Sequence, residues 1–142
     1  MNLFLRNLLG WMTLAFASDS GQGEPNVYPT LADGVTATAS AAGWTLGTIV
    51  EVVPASTITQ DGLLKAVVVD TVSLDDDYEL VVYTGAAASE VEIARVKFSG
   101  ADDRIIAIGK RFDANDRISV ALACKSTNAR TANISVNYVE VT

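Results

Sequence analysis

The chain has no histidine, one cysteine and three prolines, and lysine plus arginine supply only 10 of its 142 residues. Each scarcity excludes a class of chemistry. Without histidine there is no Ser-His-Asp or Cys-His nucleophile system and no His-ligated zinc. A lone cysteine closes no intrachain disulfide and builds no thiolate metal site. With no histidine to activate it, Cys124 reads as a small buried apolar residue. Ten cations against 17 carboxylates leave a net charge of −7. That balance argues against a nucleic-acid partner, because phosphate contacts need clustered Lys and Arg. No cofactor is expected. The length suits one domain able to bury roughly two-thirds of its unfolded surface.

What the chain does contain changes in character near residue 18. Residues 1–17 are apolar, with Arg6 as the only charge. Leu5, Leu8, Leu9 and Met12 recur at i, i+3, i+4 and i+7, the spacing of one helical face. Three readings fit the segment. Ala15-Phe16-Ala17 has the small-x-small form of a signal-peptide cleavage site, although the only charge lies inside the segment rather than before it. A membrane span would need about 20 apolar residues, and this stretch is shorter and interrupted by an arginine. The third reading, and the expectation, is an amphipathic arm that packs on a neighbouring subunit through Leu5, Leu8, Leu9, Trp11 and Met12. No membrane partner is expected.

Residues 18–34 read as a linker, because Gly21, Gly23, Pro25, Pro29 and Gly34 punctuate them too densely for a helix or a central strand. Extended, such a stretch reaches roughly 50 Å. Val27 and Tyr28 are its expected contact residues.

From Val35 the pattern is β. Strands are expected over residues 35–40, 46–54 (ending at the proline), 63–72, 78–84, 90–98, 104–109, 117–124 and 132–140. Ile118, Val120 and Leu122 line one face, as do Ile134, Val136 and Tyr138. In the 90–98 run the alternation shifts at Ala94-Arg95-Val96, which suggests a bulge there. The 63–72 run is nearly continuous and reads as central. Turn residues such as Gln60-Asp61-Gly62 and Asp113-Ala114-Asn115-Asp116 separate the runs. The fold class expected is all-β: an antiparallel β-sandwich or jelly roll of about eight strands over residues 35–142, preceded by a helical arm and an extended linker.

Several residue groups invite a chemical reading, and each has a plainer one. Asp75-Asp76-Asp77 with Glu79 offers oxygen ligands for calcium, but it lacks the spacing of a calcium loop and reads as a solvated turn. Asp102-Asp103 and the Asp113/Asp116 pair read the same way. No spacing selects two carboxylates for glycoside hydrolysis. Gly85-Ala-Ala-Ala-Ser89 lacks the lysine of a phosphate cradle. Lys110-Arg111, with Arg104 and Arg117 nearby, is the only basic cluster; it either docks on an acidic partner or pairs with local aspartates, and local pairing is the expectation. Trp44, between glycines, is by default a core anchor and otherwise a contact residue at a subunit interface, and Tyr83 is a candidate surface contact.

Beyond these local readings, the phrases Asn26-Val-Tyr-Pro-Thr-Leu-Ala-Asp-Gly34, Trp44-Thr-Leu-Gly47 and Glu51-Val-Val-Pro-Ala-Ser-Thr-Ile-Thr59 resemble a family of small virion-associated proteins encoded among the structural genes of tailed bacteriophages. Tyr78-Glu-Leu-Val-Val-Tyr-Thr-Gly85, Ser89-Glu-Val-Glu-Ile-Ala-Arg95, Ala114-Asn-Asp-Arg-Ile-Ser-Val-Ala-Leu-Ala123 and Ile134-Ser-Val-Asn-Tyr138 continue the likeness. The resemblance implies a β-sandwich or jelly roll that cements or decorates the outer surface of a capsid, and it transfers no active site. The partners expected on that reading are the major capsid protein and the chain itself, as a homo-oligomer and most simply a trimer. A head-fibre or tail-associated module that binds a receptor or glycan is the alternative, with Trp44, Tyr28 and Tyr83 as its aromatics. A carboxylate enzyme comes third.

Overall fold

The computed structural model describes residues 26–101 and 103–141, and the expected arm over residues 1–17 lies outside them. The strands are β1 (Asn26–Tyr28), β2 (Val35–Thr38), β3 (Val50–Val53), β4 (Gly62–Val72), β5 (Asp77–Gly85), β6 (Val91–Ser99), β7 (Arg104–Phe112), β8 (Arg117–Cys124) and β9 (Thr131–Glu140). Short 3-10 turns at Leu31–Asp33 and Ala55–Thr57 are the only helical elements among the described residues.

The pairing is nested. β5 pairs β6, β4 pairs β7, β3 pairs β8 and β2 pairs β9, all antiparallel. The chain therefore doubles back about the turn between β5 and β6 as one long ribbon. That ribbon rolls up so that β4 also pairs β9 and β5 also pairs β8. Two sheets result: one ordered β1/β2-β9-β4-β7, the other β3-β8-β5-β6. This is jelly-roll connectivity, and it satisfies the central strands on both sides while leaving β6 and β7 as edges at one flank and β1, β2 and β3 at the other.

The core lies between the sheets, where alternation in the sequence puts it, with one break in β4 at the register shift between Leu64 and Ala66. Leu64, Val67 and Val69 of β4 and Ile134, Val136 and Tyr138 of β9 meet Leu80 and Val82 of β5 and Ile118, Val120 and Leu122 of β8, all buried. Each large aliphatic side chain so buried contributes about 1.5–3 kcal/mol. Two aromatic pairs close the ends. Tyr78 stacks on Phe98 with centroids 5.2 Å apart, and Phe112 meets Tyr138 edge-on at 5.8 Å.

Two expectations are corrected. Residues 26–34, read as part of an extended linker, carry β1 and a 3-10 turn: β1 pairs residues 136–138 of β9, continuing the sheet edge that β2 begins at residues 131–134. Proline is tolerated there because Pro29 follows the strand, and an edge strand needs partners on one side only. The bulge in β6 is not at Ala94-Arg95-Val96. Leu80–Val96, Val81–Arg95 and Val82–Ala94 stay in register, and the next pair is Tyr83–Glu92, so Ile93 is the extra residue. The bulge lets Ile93, Ala94 and Val96 all pack toward the core.

Burial raises the Tyr78 hydroxyl above its ordinary value of 10.0, and burial likewise raises Tyr83 and Tyr138. Below pH 10 these groups are neutral in both states. Above it the unfolded chain loses its tyrosine protons first, so stability falls as pH rises from about 10 through the raised values. Denaturant titrations from about pH 8 to about pH 11 should show that loss. Tyr78→Phe should reduce it, leaving the share of Tyr83 and Tyr138, at a cost near 1 kcal/mol at neutral pH for the bond its hydroxyl donates to the Leu74 carbonyl at 2.5 Å. An unaltered slope would show that Tyr78 does not contribute.

Candidate functional site

Four carboxylates of the acidic turns, Asp61, Asp76, Asp77 and Asp116, are occupied by structural bonds. Asp76 accepts from the Asp77 amide at 2.8 Å and the Ser126 amide at 3.3 Å, with Arg130 Nε 3.6 Å away. Asp77 accepts from Lys125 Nζ at 3.2 Å. These bonds tie the β4–β5 turn to the β8–β9 loop. Glu79 faces Arg95 and, at 3.7 Å, Lys97. At the other end of the sandwich, Asp61 accepts from the Ala114 amide and Asp116 from the Asp113 amide, beside a recess of about 510 Å³. Glu140 accepts from the amides of Thr59 and Gln60. Among the described residues, no three acidic or cysteine side chains cluster as metal ligands. Cys124 is fully buried, with Sγ 3.5 Å from the carbonyls of Ser126 and Asn128.

The β6/β7 flank is different in kind. β7 closes one sheet and β6 the other, and among the described residues neither has a neighbour on its outer side. They hold the two most exposed large hydrophobic residues described, Ile105 at 78% and Val91 at 64%. Ile93, Ala94, Val96, Ile106 and Ile108 are half-buried along the mouth between them. The expected local pairing of the basic cluster is corrected here. Arg117 pairs with Glu51 and Glu90, but Arg104, Lys110 and Arg111, all on β7, face no carboxylate among the described residues. The sequence signal for this site was present. β7 has three cations and no acid in a chain of charge −7, but nothing local shows that the strand lies at an edge.

Trp44 is not a core residue. It is 43% exposed and adopts the left-handed region at φ 57°, rare for a bulky side chain. Its amide donates to the Cys124 carbonyl at 2.7 Å, which holds the loop against the end of β8. Lys97 Nζ sits 4.4 Å from its ring centroid, a cation–π contact. Asp77, Tyr78, Phe98 and Ser99 complete a shallow recess of about 300 Å³ beside it.

The other residues singled out from the sequence are scattered. Leu5, Leu8, Leu9, Trp11 and Met12 lie outside the described residues. Val27 is exposed on β1, and Tyr28 packs against the core from the same strand. Tyr83 belongs to the opposite sheet, half-buried beside Glu92 and Arg95. Tyr28 and Tyr83 thus sit on different sheets, so the three aromatics do not line one platform.

No family model matches the chain, and no curated protein matches it. Solved structures give distant likenesses. The infectious bursal disease virus Gx strain aligns with a TM-score of 0.42 and 12% identity over 84% of this chain and 33% of that one. The VP2 subviral particle of infectious bursal disease virus gives 0.40 and 12% over 84% and 34%. The CBM22-1–GH10 modules of Clostridium thermocellum xylanase 10B, complexed with xylohexaose, give 0.32 and 12% over 83% and 26%. The chain spans about a third or less of each of these, and likenesses of this degree carry no functional weight. What the described residues do show is an all-β jelly roll whose most exposed apolar residues lie on one open flank.

Proposed function

We propose that the chain is a non-enzymatic structural protein of a bacteriophage virion, a cement or decoration protein on the outer head surface that bridges neighbouring major capsid subunits. The observation that carries the reading is the open flank: two nine-residue edge strands bearing Ile105 and Val91. Bulges and cations interrupt both edges, but a protein that works alone rarely leaves large apolar residues this exposed on an unpaired strand. The phrase-by-phrase resemblance over residues 26–142 supports the virion setting. The turn carboxylates Asp61, Asp76, Asp77 and Asp116, engaged in loop and ion-pair contacts, support a contact role over a chemical one. Net negative charge keeps free subunits soluble and away from packaged DNA. The fold itself does not decide, since jelly rolls serve shells, lectins and enzymes alike.

The test is the chain's abundance in purified particles, followed by deletion of residues 1–24. Copy number matched to the major capsid protein is the expected result, with lower occupancy and heat resistance after the deletion. A handful of copies per particle would point to a tail or vertex, and full occupancy after deletion would remove the arm from the bridging scheme.

Trp44 favours a second reading, a receptor- or glycan-binding module, because an exposed aromatic in a strained conformation invites a contact role. Trp44→Gly should leave thermal stability within about 1 kcal/mol, as relief of the positive φ offsets the lost Lys97 contact. If Trp44 meets a glycan, particles carrying the variant lose adsorption at full occupancy. If it meets the capsid, occupancy itself falls.

A further inference from the structure

We propose that β7 is a docking edge for an acidic extended segment of a partner protein, which joins the five-stranded sheet as an added strand. The inference rests on the contact-protein reading and names the chemistry of what is contacted.

β7 pairs with β4 along one side only, so its outer backbone amides and carbonyls are free among the described residues. Its side chains suit an incoming strand on both faces. Ile105 lies opposite Val68 and Ala107 opposite Ala66 on the outer face, while Ile106 lies opposite the buried Val67 on the core side. The regular edge ends where the register shifts opposite Leu64 and Ala66, at Gly109 with φ 65°. An added strand therefore runs along residues 104–108, with Arg104 at one end and Lys110 and Arg111 just past the other.

The charges select the occupant. Arg95, Lys97, Arg117, Lys125 and Arg130 each have a carboxylate within ion-pair reach. Arg104, Lys110 and Arg111 have none among the described residues, although the chain has carboxylates in excess. A second copy meeting through the same strand is the wrong partner. β7 contributes three cations and no acid, while Arg95 and Lys97 of β6 are met by Glu92 and Glu79, so two copies meeting β7 to β7 set like charges together and repel. A strand alternating acidic and apolar residues meets the cations and the exposed isoleucine together, in the manner of β-strand addition.

The experiment uses the full chain and a labelled synthetic peptide alternating Glu with Val and Thr. Its controls are the same peptide with Lys for Glu and one with a central proline. Saturable binding of the acidic peptide is expected, with amide-resonance shifts concentrated at residues 104–108. Binding should fall about tenfold in the R104Q/K110Q/R111Q variant and be lost with the proline peptide. The shift map needs no variant, so a misfolded triple mutant does not block the test. Equal binding of the proline peptide overturns the proposal, since that is attraction to a polyanion without strand pairing. Shifts elsewhere also overturn it. So does absence of binding while the neutralised variant self-associates, because the cations then serve only to keep copies apart. Chain abundant in particles but blind to the peptide would remove this inference and leave the virion reading. Peptide binding by a chain absent from particles would do the reverse.

Discussion

Gly62→Ala is expected to lower stability by about 3 kcal/mol or more, a fall of roughly 10 °C in Tm, although it adds one methyl group. Gly62 sits in β4 between Phe112 of β7 and Glu140 of β9. A Cβ there would lie 2.2 Å from Phe112 Cζ and 2.3 Å from the Val139 carbonyl oxygen. Neither can yield easily. The Phe112 ring is buried and packed edge-on against Tyr138, and the carbonyl belongs to a central strand. Gly109→Ala is the control. Its Cβ meets nothing within 4 Å, so only the positive φ opposes it, at about 1–2 kcal/mol. Thermal melts of the two variants separate the effects; equal losses would mean that contact at Gly62 is not what forbids a side chain.

Arg117→Met should cost about 3 kcal/mol, well above the effect of an ordinary surface ion pair. The guanidinium joins Glu90 and Glu51, and the side chains of Arg117 and Glu90 are only 19% and 8% exposed. Removing the cation leaves Glu90 charged and largely shut off from water. The double variant R117M/E90Q should recover most of the loss, since no charge is then stranded. A double variant no better than R117M would mean that the loss comes from packing of the arginine stem. The Arg95–Glu92 pair is the contrast. The hydrogen bond from Arg95 holds the Glu92 carboxyl below its usual range, but both side chains are open to solvent and screened.

Most of the fold was legible along the chain because period-two alternation is a local property. Ile118-Val120-Leu122 and Ile134-Val136-Tyr138 each show one apolar face and are buried where that pattern requires. The expected strands β4 to β9 appear with ends moved by a few residues. β1 was missed because three residues carry no period, and they are held by the length of β9 left bare beyond β2 and by Tyr28 against the core. Trp44 was misjudged because an apolar residue between glycines gives no sign of φ. Its exposure follows from the loop being held to Cys124.

The sequence by itself determined the chemistry open to this protein and the secondary-structure class. Absent histidine, one cysteine and an acidic balance are properties of composition, and alternation is a property of neighbours. Only the tertiary structure decided which cations find a carboxylate among the described residues. Arg117 and Arg104 belong to the same basic cluster in sequence, yet the rolling of the ribbon carries Glu51 and Glu90 to Arg117 and leaves β7 at an edge. Ion pairing depends on distance in space, and strand order sets that distance between residues far apart in the chain.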